Sequence, residues 1–278
     1  VNETKKTGSL VSAFCESYFA ATGTPVVAVS CAQGGTGINF WDTNRPAYQD
    51  ACNRLALAKK YLGENVRHTY LVWLQGETDG DNGVTAERYK KTLDEIFAAF
   101  RADVGVEQSF VIPIGAFNGA SAATKAGYDV IRAAQADYCA SSERATLVST
   151  QLVDLSNYGF MTDNFHFSQV GYNIVGADAG KNAAYYAING VAPVCEPYES
   201  QRTPLKTGGA WKEEGGRIVI AAASALENSV YASATSRYVG DVRYYWRRYN
   251  GLLDGVEQRP DNGKDWNTGT GFDRAPQL

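Results

Sequence analysis

The apolar positions of this chain change period repeatedly, and those changes predict an alternation of helices and strands. From Ser9 to about Ala21, residues Leu10, Ala13, Phe14, Tyr18 and Phe19 recur at helical spacing, with Gly23 as a stop. The run PVVAVS at 25–30 is short and continuously apolar, and reads as a strand. A helix is expected from Pro46, a residue suited to a first turn, to about Tyr61. A strand then covers Thr69 to Gln75. Thr85 is the expected N-cap of a helix reaching Phe100, with Tyr89, Leu93, Ile96, Phe97 and Phe100 on one face. The segment FVIPIG forms the next strand, a helix follows around Asp129 to Cys139, a strand at Thr146 to Ser149, and a last helix opens near Ser168.

Apolar strands separated by helices predict a three-layer α/β/α domain with a parallel sheet covered on both faces. Such sheets bind ligands outside the carboxyl ends of their strands. The loops CAQGGTG, QGETDG and DNFH occupy those places. Beyond Cys195 the texture changes: EPYESQRTPLKTGG reads as a linker, GRIVIAAA is strand-like, and the tail is rich in Tyr, Trp, Arg and Gly. The expected organisation is a domain over 1–195, a linker over 196–210, and a β-rich segment over 211–278. That segment reads as the start of an accessory module whose Trp and Tyr side chains suit stacking on sugar rings as well as an ordinary β core.

With 278 residues, 44% of them hydrophobic and 20% charged, the chain can bury a full core. A net charge of -4 and a pI near 5.3 leave no electrostatic footprint for nucleic acid. No apolar run approaches the length that spans a bilayer, so neither nucleic acid nor membrane is an expected partner. The five cysteines, Cys15, Cys31, Cys52, Cys139 and Cys195, contain no Cys-x-x-Cys pair, and their odd number leaves at least one thiol free. Any targeting segment is expected upstream of the polar opening at Val1.

Only two histidines can serve as a general base, His68 and His166. His68 lies at a strand start and reads as a strand-end residue. His166 follows Asp163 by three residues, a spacing that lets a carboxylate hold imidazole Nδ1–H and leave Nε2 free to accept a proton. The alternative is a plain turn. Gly34, Gly35 and Gly37 form a turn after a strand, where backbone N–H groups can approach an oxyanion with no Cβ in the way. Gln75 offers a side-chain amide donor at a strand end, with Glu77 as its support. A calcium loop starting at Asp79 fails because its twelfth position is Lys90, so Asp79 to Gly83 reads as a solvated turn.

The series GGTGINFW, WLQGETDG and DNFHFSQVGYNIVG resembles the SGNH-hydrolase superfamily, and within it the sialate O-acetylesterase and carbohydrate esterase family 6 branch, over roughly Leu10 to Ile188. The resemblance implies a flavodoxin-like parallel sheet and a carbohydrate O-acetylesterase working through a serine acyl-enzyme without metal or organic cofactor. It implies His166 as base, Asp163 as its orienting acid, Gln75 with Gly34 or Gly35 in the oxyanion hole, and Glu77 as support. The implied partner is an O-acetylated sugar, and the implied location is extracellular or periplasmic.

One feature of that branch is missing, the Gly-Gln-Ser-Asn motif that carries the nucleophile. Three expectations compete. Either the chain is a piece whose upstream part holds the serine, or the serine is Ser224, after the strand-like Ile218–Ala221, in a rearranged chain, or Ser30 or Cys31 substitutes. Rival functions are a non-catalytic glycan-binding protein on the same fold and a lipase- or thioesterase-like hydrolase.

Overall fold

The computed structural model describes residues 8–198 and two further strands, 211–214 and 217–220. The chain divides into two compact units, one made of 1–156 with 160–198, the other of 157–159 with 199–278.

In the first unit, helix α1 (Val11–Thr22) ends at Gly23, whose φ of 67° supplies the left-handed cap expected there. Helix α2 (Pro46–Leu62) starts on its proline. Strand β1 (Tyr70–Trp73) leads into a one-turn helix α3 (Glu77–Asp81), then α4 (Ala86–Val104), β2 (Gln108–Val111), α5 (Ala122–Ser141), β3 (Ala145–Leu147), the short α6 (Gln151–Leu155) and α7 (Gln169–Asn189). The Thr85 and Ser168 hydroxyls cap α4 and α7 by accepting from Arg88 N–H and Gly171 N–H, both at 3.3 Å. Ser121 does the same for α5, so that helix begins well before Asp129.

The sheet is parallel, in the order β1-β2-β3, with Val72 beside Phe110 and Phe110 beside Thr146. β2 is buried along its whole length, as the centre of a sheet covered on both faces must be. Its side chains alternate between two cores. Val111 joins Trp73, Tyr89, Phe97 and Ile131 under α4 and α5, whereas Phe110 and Ile112 join Phe14, Val148 and Val175 under α1 and α7. Each fully buried side chain of this kind contributes roughly 1.5–3 kcal/mol. The result is the three-layer α/β arrangement expected from the sequence.

The segment 25–30 differs from expectation. It forms no strand, and Val27 is 60% exposed. β-branched residues favour extended backbone, but a strand exists only where a neighbour completes its hydrogen-bond ladder. Among the described residues β1 pairs with β2 alone.

In the second unit, β4 (Trp211–Glu214) and β5 (Arg217–Ile220) form an antiparallel pair. Ser224 and most of the aromatic tail lie outside the described residues.

Helices α1 and α7 approach so closely that a Cβ on Gly176 would lie 2.4 Å from the Leu10 carbonyl oxygen, and one on Gly180 would lie 2.3 Å from that of Phe14. These atoms are backbone and cannot turn aside. Gly180→Ala is therefore expected to cost about 1–3 kcal/mol by forcing the helices apart, measured as a lower urea midpoint. An unchanged midpoint would show that the pair can separate freely.

Candidate active site

The carboxyl ends of the strands carry two structures of different character, an exposed turn and a buried polar network. The turn runs from Phe160 to Ser168. It is closed by the bridge between Met161 and Phe167, by Thr162 N–H on the His166 carbonyl at 2.8 Å, and by Ser168 N–H on that of Phe160 at 2.6 Å. Asp163 heads it. Its Oδ1 accepts the Phe165 and His166 N–H groups at 2.9 and 2.7 Å, and its Oδ2 lies 2.6 Å from His166 Nδ1. One carboxylate thus folds the turn and aims the imidazole, with Nδ1–H as the donor. No hydrogen bond to a described residue engages Nε2.

Burial works against ionisation of Asp163, yet the hydrogen bonds from the His166 ring and from the Phe165 and His166 backbone hold its carboxyl below the ordinary value. The His166 and Asp163 side chains are 28% and 47% exposed. An ion pair so open to water contributes about 0.2–1 kcal/mol to stability, so the effect of the pair lies in orientation. Phe167 anchors the turn: it is buried against Gly115, where a Cβ would meet its ring at 2.6 Å. The Asn118 N–H donates to the Asn164 carbonyl at 2.8 Å and ties the turn to the loop after β2.

The network centres on Asp79, which is 2% exposed. Its oxygens accept the Ile38 N–H at 2.9 and 3.1 Å and the Gln75 amide at 2.5 Å. Gln75 Nε2 also donates to the Thr36 carbonyl at 3.0 Å. The Tyr89 hydroxyl donates to Gln75, and the buried Gln135 donates to the Gln75 carbonyl at 2.7 Å while accepting the Ile114 N–H at 3.1 Å. The glycine-rich loop, the end of β1, α4, α5 and the end of β2 are joined through these few groups. Gly76 allows it: its φ is 145°, and a Cβ there would lie 2.7 Å from Ile131.

Two sequence readings change here. Asp79 does not belong to a solvated turn; only the residues after Gly80 are exposed. Gln75, expected as an oxyanion donor, has both amide protons committed, to Thr36 and to Asp79, so its side chain is a strut of the loop. Gln135 and Tyr89 carried no polar signal in the sequence, since both lie on apolar helix faces.

Gly34 and Gly35 are exposed, and Gly35 takes a φ of 73°. Among the described residues no hydrogen bond joins them to His166 or Asp163. Glu77 is half-buried and lies within electrostatic reach of His166. Burial pushes its carboxyl above the ordinary value, while backbone hydrogen bonds and the His166 charge act the other way. His68 pairs with Glu107 at 2.9 Å and stacks on Tyr70 at the strand start, as expected of a strand-end residue. Cys31 packs on the α4–α5 core, where burial pushes its thiol up, the reverse of an activated thiolate. Among the described residues no group of three or more His, Cys, Asp and Glu side chains is placed to hold a metal ion.

Asp79 and Asp163 respond to pH with opposite sign. Burial raises the Asp79 carboxyl, so its contribution favours folding at acid pH and is lost as pH rises through the raised value. Asp163 is lowered, so its contribution is present above about 3.9, the ordinary value, and is lost as pH falls through the lowered one. Asp79→Ala strands the Ile38 N–H and the Gln75 amide, and a loss of roughly 1–3 kcal/mol is expected at pH 7. Urea denaturation checks it; a variant as stable as its parent would mean that the network closes without Asp79.

A family model described as carbohydrate esterase, sialic acid-specific acetylesterase, matches residues 2–184. A protein of Arabidopsis thaliana described as a probable carbohydrate esterase is 27% identical over 141 residues, 50% of this chain and 48% of that protein. The chain thus spans about half the length of that curated relative. An X-ray structure of an Arabidopsis thaliana protein superimposes with a TM-score of 0.48 at 21% identity, covering 63% of this chain and 67% of that one.

Proposed function

The chain belongs to the carbohydrate esterase, sialic acid-specific acetylesterase family, and from that premise we propose that it removes acetyl esters from sugar hydroxyls through a serine acyl-enzyme with His166 as base. The observation that carries this reading is the 2.6 Å contact between Asp163 Oδ2 and His166 Nδ1, which leaves Nε2 available.

In the proposed cycle a serine Oγ attacks the acetyl carbonyl and gives its proton to Nε2 of His166. Asp163 stabilises the imidazolium through Nδ1–H and stays ionised at neutral pH. The tetrahedral oxyanion is held by backbone N–H groups of the Gly34-Gly35 turn, the Gln75 amide being engaged elsewhere. Collapse breaks the bond to the sugar oxygen, which takes the proton from His166. Water then attacks the acetyl-serine, His166 accepting its proton and returning it to the serine as acetate leaves. No step calls for a metal or organic cofactor. Glu77 helps to hold the imidazolium as a neighbouring carboxyl. Among the described residues no serine is hydrogen-bonded to His166, and the proposed nucleophile is a serine outside them. Residues 211–278 act in this reading as an accessory saccharide-binding module.

The family's name admits sialate as substrate, and acetylated neutral sugars fit the same chemistry. The lack of a Gly-Gln-Ser-Asn motif favours one competing reading, a glycan-binding protein without catalysis.

With a chromogenic acetate ester and the complete protein, His166→Ala is expected to lose about 10²–10⁴ in kcat, with His68→Ala unaffected. Asp163→Asn is expected to lower kcat more than it changes KM. Equal rates for His166→Ala and its parent would remove the assignment, and no cleavage by the parent would favour the binding protein.

A further inference from the structure

Phe165 sits between Asp163 and His166, and the proposed cycle does not use its side chain. Its backbone N–H donates to Asp163 Oδ1, and its ring lies 4.4 Å, centroid to centroid, from the ring of His166. It is nonetheless 39% exposed, while Phe167, two residues on, is buried in the core. Phe167 lies in the bridge with Met161 and packs into the core, whereas Phe165 lies in the bend that Asp163 heads, where its ring is left toward solvent. The same carboxylate that aims the imidazole therefore fixes an apolar ring beside it.

Two carboxamides belong to the same turn and to the loop tied to it. Asn118 and Asn164 are joined through their backbones, and both side chains are exposed. The Asn164 amide lies over Gly119, where a Cβ would come within 3.1 Å of its nitrogen. Among the described residues no hydrogen bond occupies either carboxamide. Each offers two donors and an acceptor, which matches the alternating donors and acceptors of neighbouring sugar hydroxyls. A flat ring covers the C–H face of a pyranose without desolvating its hydroxyls.

The geometry points to Phe165, Asn118 and Asn164 as the saccharide subsite of the esterase. Phe165 stacks on the pyranose that bears the acetyl group, and the two amides bind its hydroxyls. This rests on the esterase reading and adds the residues that distinguish an acetylated sugar from any other acetate ester.

The two histidines make the test direct, because His166 reports on the site and His68, on the strand start, serves as an internal control. The full chain is titrated with a mono-O-acetylated methyl pyranoside while the histidine ring protons are followed by NMR. The His166 resonance is expected to move and that of His68 to stay. Phe165→Ala is expected to weaken binding about tenfold, roughly 1.4 kcal/mol, while Phe165→Trp restores it and Asn118→Ala and Asn164→Ala give smaller losses. Phe165 is exposed, so its loss should leave the thermal midpoint unchanged and the reading free of misfolding. Equal affinity of Phe165→Ala and its parent overturns the subsite, as does a parent in which the sugar leaves His166 unmoved. Cleavage of a chromogenic acetate, which needs no saccharide, decides separately whether the esterase reading stands.

Discussion

The carboxyl end of this sheet depends on one buried carboxylate. Asp79 is almost fully withdrawn from water and is tolerated because the Ile38 N–H and the Gln75 amide point at it. A buried charge without partners would cost several kcal/mol, and each stranded donor would add about 1–3. Burial and hydrogen bonding pull its carboxyl in opposite directions, and burial prevails. The loop that contains Gly34 and Gly35 therefore has a fixed far end. Without Asp79 the Ile38 N–H would lose its partner, and Gln75 would hold the loop through the Thr36 carbonyl alone.

The exposed turn inverts this balance. Asp163 and His166 are too open to water to stabilise the fold much, yet three hydrogen bonds to one carboxylate leave the imidazole little freedom. The stability of this end of the sheet thus comes from buried amides and a carboxylate. The proposed chemistry sits on a turn that is inexpensive to expose. Phe167 and Asn118 join the two by fixing the turn to the core and to the loop after β2.

Much of this was legible in the sequence because the signals were local. Thr85 and Ser168 cap the helices they precede, and period changes marked each strand of the parallel sheet. Asp163 and His166 could be paired because three residues of turn bring them together. Features that depend on distant partners were not legible. PVVAVS has the composition of a strand, but a strand needs a neighbour, and among the described residues none pairs with it. Asp79, in a Gly- and Asp-rich stretch, reads as solvated because its partner Ile38 lies 41 residues away. Gln75 was rightly placed at a strand end, but the commitment of its amide depends on Thr36 and Asp79 folding against it.

The central claim is that Asp163 sets the state of His166, and the protonation of the two ring nitrogens tests it most directly. Nitrogen-resolved NMR of the neutral imidazole is predicted to show the proton on Nδ1 of His166 with Nε2 bare, and Asp163→Asn is predicted to abolish that preference while His68 is unchanged. A neutral His166 protonated on Nε2 in the parent, or the same tautomer in parent and variant, would contradict the account.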